Sequence, residues 1–262
     1  MDVTAAIAAA LVGFAPAAAS ATATAATSGE IQKPATAPQT DAAADALARI
    51  VDRPHTIAEL EAGIIALPTA PISASQRGGD TPFLGKVGSG DATINLGIHV
   101  LYRWNDEFAI GATGSFAPSP TGDDQYGGDK NLQRTHSRSY LFLGGEGRWY
   151  PIHYKFAEAY LGPSAGAVIV ADRFTTESAN GQVPAILGEP QVTIRTEGFA
   201  IGGQVGGNYY FSENWIAGAA LRAYDWILPT RPRCSSIGDC ATLQGQVLVL
   251  QLGLTIGYRL PL

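Results

Sequence analysis

The sequence predicts an all-β chain: eight antiparallel strands in up-and-down order, closed into a transmembrane β-barrel. Three observations carry this. Apolar residues recur with a period of two over long segments, as they do in strands with one apolar face. The connections between those segments alternate between long and short. Aromatic residues gather near both ends of the segments, where amphipathic rings favour the two headgroup zones of a membrane.

The clearest strand is the last, 245–262. Gln246, Leu248, Leu250, Leu252, Leu254, Ile256, Tyr258, Leu260 and Leu262 alternate with Val247, Val249, Gln251, Gly253, Thr255, Gly257 and Arg259. This run exceeds the five or six residues usual in soluble sheets. One face is almost wholly apolar and the other carries Gln251 and Arg259, which suggests oil outside and polar contacts inside.

The remaining strands follow in order. Residues 56–67 place Leu60 and Ile64 on one face and Glu59 and Glu61 on the other. A Pro/Gly/Ser/Asp-rich connection, 68–91, follows. In 92–104, Ile94, Leu96, Ile98, Val100, Tyr102 and Trp104 oppose Asn95, His99 and Arg103. Only Asn105, Asp106 and Glu107 separate this strand from 108–116, a hairpin length. After a second long connection, 117–136, the strand 137–150 sets Leu141, Leu143 and Trp149 against Glu146 and Arg148.

A short turn at 151–155 leads to 156–174, where Leu161 and Ile169 oppose Glu158, Tyr160 and Ser164. The third long connection is 175–194. Strand 195–211 sets Phe199, Ile201, Val205, Tyr209 and Phe211 against Gln204 and Asn208. A short turn, 212–214, precedes 215–228, with Trp215 and Leu221 opposing Arg222. The fourth long connection, 229–243, holds both cysteines. An antiparallel meander gathers the short connections at one end and the long ones at the other, as periplasmic turns and extracellular loops are in transmembrane barrels.

Upstream, residues 1–21 read as a signal peptide, Ala-rich with small residues at Ala17, Ala19 and Ala21, although Asp2 stands where a basic residue is usual. Residues 22–55 read as a disordered Ala/Thr/Pro-rich extension, with a short helix at 41–52 as an alternative to an unfolded spacer. The barrel occupies 56–262.

Composition narrows the function. Charged residues make up 15% of the chain and the net charge is −6, which opposes nucleic-acid binding. The lysines, Lys33, Lys86, Lys130 and Lys155, all fall outside the proposed strands, as suits strands that face lipid. A soluble lipocalin-type barrel would need charged residues alternating along its outer faces. Here the polar faces hold only Glu59, Glu61, His99, Arg103, Glu146, Arg148, Glu158, Arg222 and Arg259, a set that reads as a lumenal network of paired charges. Arg259 is placed to meet Glu59 or Glu61 across the seam between the last strand and the first. Cys234 and Cys240 lie six residues apart and are expected to form a disulfide across their loop; no histidine lies near them to make a metal site.

At this point the chain resembles the small outer-membrane barrels of Gram-negative bacteria, the OmpA/OmpX/OmpW-like, porin-family group. A local motif supports the resemblance: Gln251, Gly253, Ile256 and Tyr258 match the spacing of that group's C-terminal assembly signal, although Arg-Leu-Pro-Leu follows Tyr258. The resemblance implies residence in the bacterial outer membrane, contact with its lipids, and the barrel-insertion machinery as a partner during biogenesis. A monomer without cofactor or metal is expected.

Eight strands enclose a lumen that side chains can fill. The expected role is therefore structural or surface-interacting, with a largely plugged lumen and no catalytic residues. The alternative is a narrow porin, or a carrier of small solutes through an opening near Pro163 and the paired glycines. A lipid-modifying enzyme would need a base, and only His99 stands mid-strand facing inward; a lumenal hydrogen-bonding histidine is the plainer reading.

Overall fold

The structure, a computed structural model, describes residues 54–71, 89–118, 134–176, 191–231, 233–235 and 240–261. The segment read as a signal peptide, nearly all of the segment read as an N-terminal extension with its optional helix, and much of the long connections lie outside the described residues.

Eight strands form a closed barrel in sequence order: β1 His55–Pro71, β2 Ser89–Arg103, β3 Phe108–Ala117, β4 Arg134–Tyr154, β5 Ala157–Thr176, β6 Gln191–Tyr210, β7 Trp215–Ile227 and β8 Gln246–Pro261. Each pairs antiparallel with its neighbours, and β8 closes the ring on β1 with Leu60 opposite Ile256 and Gly63 opposite Gly253. Closure removes the unpaired edges that a lipid solvent would penalise.

The outer surface is apolar. Leu60, Ile64, Ile98, Ile110, Leu143, Leu161, Ile201, Leu221, Leu252, Leu254 and Ile256 all stand exposed on it. So continuous an apolar surface is incompatible with water and is the lipid-facing band of a membrane barrel. The buried core lies inside the ring.

Three short turns set one end of the barrel. Between β2 and β3, Asn105 Oδ1 accepts the Glu107 and Phe108 N–H groups at 3.1 and 2.7 Å, the local bonding that makes Asn a turn former. Between β4 and β5, Lys155 takes a left-handed φ of 48°. Between β6 and β7, Ser212 Oγ accepts the Trp215 N–H at 3.1 Å.

Six of the eight strands are longer than alternation alone suggests, and only β7 and β8 end a little short of it. β4 starts at Arg134 and runs to Tyr154, through residues read from sequence as connection and turn. Its ladder with β5 shifts register between Trp149 and Ile152, and it skips the residues across from Pro163, which has no N–H to donate.

The aromatic belts are corrected. At the short-turn end Tyr102, Trp104, Phe108, Trp149, Tyr154, Tyr209, Phe211, Trp215 and Tyr258 do face outward. At the long-loop end, among the described residues, only Phe116 and Phe199 do. Tyr140, Phe142, Phe174, Tyr224 and Trp226 are buried inside the barrel, as are Tyr150 and Tyr210 at the other end. The reason is the strand period: Leu143 and Phe199 face lipid, so residues of the opposite parity on those strands, such as Phe142 and Ala200, must face the lumen.

Candidate functional site

The candidate site is the lumen, and its parts follow from the inward parity of each strand. Among the largest fully buried side chains are Arg103, Arg138, Arg148 and Arg222. Buried guanidinium groups require partners, and the lumen supplies these in layers.

Near the short-turn end, Arg103 reaches from β2 to Glu158 on β5, with Nη1 at 3.0 and 2.8 Å from the carboxylate oxygens. Tyr210 donates to the same carboxylate at 2.6 Å and Asn208 at 3.1 Å. The Arg103 guanidinium also donates to the Asn105 carbonyl at 3.1 Å and to that of Asp106, and it lies over the Tyr150 ring. It therefore ties the β2–β3 turn to the opposite wall.

In the middle layer, Arg148 on β4 makes a two-pronged bond to Glu59 on β1, at 2.9 and 2.7 Å, the geometry that makes Arg–carboxylate pairs strong. It also holds Glu146 at 2.8 and 3.1 Å and lies over the Tyr160 ring. His99 stands between Glu61 and Glu146, 3.3 Å from each. Glu61 pairs in turn with Arg222 on β7 and accepts from Gln251 on β8. Arg222 Nε donates to Gln204 at 3.2 Å. Glycine makes room for this layer: a Cβ on Gly253 would fall 2.3 Å from the Glu61 carboxyl carbon.

Above this layer the interior turns apolar. Ile65, Leu67, Phe142, Val168, Val170, Trp226, Leu228, Leu243, Val247 and Val249 form one buried cluster. The lumen is thus not polar throughout.

A further polar group lies towards the long loops. His136 Nε2 sits 2.7 Å from Asp172, and Arg138 Nε donates to Asp172 at 3.3 Å and to Thr242 at 2.7 Å. Thr242 donates to the same carboxylate from Oγ1 at 2.7 Å and from its backbone at 3.2 Å. Tyr140 donates to Asp91. Cys234 and Cys240 are joined in a disulfide, and directly after it Ala241, Thr242 and Leu243 are buried. The segment from Cys240 to Leu243 thus folds into the mouth of the barrel.

Of the residues singled out in the sequence, Glu59, Glu61, His99, Arg103, Glu146, Arg148, Glu158, Arg222 and Arg259 are all buried inward. Eight of them join the two ion-pair groups above. Arg259 does not, and its expected bond to Glu59 or Glu61 is corrected. The seam places Arg259 opposite Ile57, and both glutamates are held by other arginines, Glu59 by Arg148 from across the lumen and Glu61 by Arg222 from β7 beyond the closing strand. Its Nε and Nη1 have no partner among the described residues. Gln251 and Gly253 face the lumen, whereas Ile256 and Tyr258 face lipid.

Sequence reasoning missed Asp91, His136, Arg138 and Asp172, because the strands were ended too early or only their middles were read. Extending the same parity would have found them: Arg138 lies in phase with Glu146, and Asp172 with Glu158. Thr242 had no such signal, since it sits outside any strand.

No metal-holding group of His, Cys, Asp or Glu occurs among the described residues. The partners of His99 are Glu61, Glu146 and Arg222, an arrangement of charge pairing.

No protein-family model matches the chain, and no curated protein does. Solved structures do. The chain is similar to Neisserial surface protein A, with 11% identity over 78% of this chain and 96% of that one, at a TM-score of 0.48. It is similar to Ail, the attachment invasion locus protein of Yersinia pestis, with 15% identity over 80% and 99%, at 0.39. A third is the outer membrane protein OprG of Pseudomonas aeruginosa, with 14% identity over 81% and 99%, at 0.43. The closed, even-stranded ring with an apolar exterior is itself that of a bacterial outer-membrane barrel.

Proposed function

We propose that the protein is a sealed membrane anchor whose work is done at its extracellular connections, in surface interaction or in mechanical support of the outer membrane, and not by passage through the lumen. The observation that carries this is the double obstruction inside the ring. Arg148 and Arg222 bridge the middle of the lumen to Glu59 and Glu61, and an apolar layer with Phe142 and Trp226 covers them. Charges in such a site hold one another in place, because separating a buried pair strands both ions. The disulfide-held segment that ends in Thr242 and Leu243 adds a third cover at the long-loop end.

On this reading the barrel is a non-enzymatic monomer, handled during biogenesis by the barrel-insertion machinery through the last strand. The lipid-facing positions of Ile256 and Tyr258 support that role, since both side chains stand on the outer face of the last strand, open to a partner.

The test is planar-bilayer recording on the purified, refolded full chain. No stable single-channel openings are expected. Reproducible openings of fixed conductance would overturn the sealed reading in favour of a narrow pore.

A further inference from the structure

The outer surface is not uniform around the barrel. On β4, β5 and β6, outward residues form cross-strand rows. Leu143, Ala167 and Phe199 form an apolar row; then come Leu141, Ile169 and Glu197, then Ser139, Ala171 and Arg195, and nearest the long loops Ser137, Arg173 and Thr193. The surface thus passes from lipid-like to cationic and hydroxyl-bearing within a few residues.

Arg173 and Arg195 both stand exposed. They lie on adjacent strands as diagonal neighbours, Arg173 opposite Thr193 and Ala171 opposite Arg195, a spacing of about 7–8 Å at which long side chains converge. Arg103, Arg138, Arg148 and Arg222 are tied to carboxylates inside the barrel, but neither of these outward arginines has an ion pair among the described residues. Glu197, on the same face, bonds neither. Around Arg173 opens a cleft of about 330 Å³, lined by Phe116, Pro118, Ser137, Ser139 and Thr193 among others. Elsewhere the same end of the barrel differs: the outward positions of β7 and β8 are Asp225, Ile227, Gln246 and Leu248.

We propose that this β4–β6 face is a binding site for a phosphate of an outer-leaflet glycolipid, with Arg173 and Arg195 as the anion ligands, the Ser137, Ser139 and Thr193 hydroxyls as additional donors, and Phe116 and Phe199 against the acyl chains. Charge complementarity and position commit the site to that occupant. The cleft lies at the long-loop, extracellular end, one step above the acyl-facing band, and its lining is mostly outward-facing, with Ser137, Ser139, Ala171, Arg173 and Thr193 at the rim and the inward Arg138 behind them; Arg195 stands beside it on the neighbouring strand. In that layer the abundant anion is the phosphate of a lipid headgroup, and guanidinium groups bind phosphate by charge and paired donors. The proposal is independent of whether the lumen conducts, and it rests on the barrel standing in the outer membrane with its long loops outward.

The test is competitive lipid retention by native mass spectrometry. The folded full chain, checked by heat-modifiable mobility, is mixed with equimolar bisphosphorylated and dephosphorylated lipid A. Wild type should prefer the bisphosphorylated form by about tenfold or more, and R173Q/R195Q should lose that preference. The charge-matched R231Q/R233Q variant, altered in the β7–β8 connection, should keep it. Equal retention of both lipids by wild type would overturn the proposal, as would unchanged preference in R173Q/R195Q or equal loss in the loop control. Millimolar inorganic phosphate should not displace the lipid; displacement would make the site one for a free anion and defeat the lipid assignment. If R173Q/R195Q fails to fold, the single variants R173Q and R195Q carry the comparison, and unchanged preference in both would overturn the proposal.

Discussion

Arg148 shows how one side chain organises the interior. It joins Glu59 on β1 to Glu146 on its own strand and stacks over Tyr160 on β5. Removing the guanidinium leaves two carboxylates facing each other in a buried layer. Arg148→Met is therefore expected to cost about 3–5 kcal/mol of stability, read as a lower urea midpoint in folded micelles. Adding Glu59→Leu and Glu146→Leu should restore much of the loss, because an apolar layer needs no partners. An unchanged midpoint in Arg148→Met would show that the layer contributes little to stability. At this scale the sequence was only partly legible. Alternation assigned Glu59, Glu61, His99, Arg148 and Arg222 to one face of their strands, but it could not pair them. Arg259 was assigned a partner by nearness along the seam, and its candidates proved to be held by Arg148 and Arg222 of β4 and β7, because a long guanidinium reaches past the neighbouring strand inside a narrow lumen.

The closing strand β8 carries two sets of demands at once. Its inward face supplies Gln251 to Glu61 and keeps Gly253 small against the same side chain. Its outward face presents Leu252, Leu254, Ile256 and Tyr258 to lipid, with Trp215 packed edge-on against Tyr258. Ile256→Asp/Tyr258→Asp is expected to abolish barrel assembly, since charge on a lipid-facing strand is disfavoured and the assembly motif is lost with it. The measurement is the folded fraction recovered in outer membranes, and recovery at wild-type level would refute the assembly role. The strand patterns of β2, β6, β7 and β8 were plain in the sequence because one face is nearly all apolar. β4 was less so: its inward face carries Tyr140, Phe142 and Tyr150, so apolarity alone did not distinguish its sides. Parity separated them, and the second aromatic belt disappeared with that separation.

For the whole molecule, closure is the decisive property. Every interior strand edge is paired and β8 meets β1, so unfolding must break a continuous ladder inside a lipid solvent that offers no replacement hydrogen bonds. The protein is expected in the membrane fraction, with different gel mobility before and after boiling. A soluble, non-shifting band would contradict the barrel. The sequence by itself determined the strand number, the antiparallel order, which end carries the long connections, and the apolar exterior. These follow from periods and lengths, which are local quantities. Only the tertiary structure decided that the lumen alternates ionic and apolar layers, that the segment after Cys240 folds into the mouth, and that Arg173 and Arg195 share one outward face. Those depend on register between strands far apart in the chain, and a period of two fixes the side of a strand a residue occupies without fixing its height.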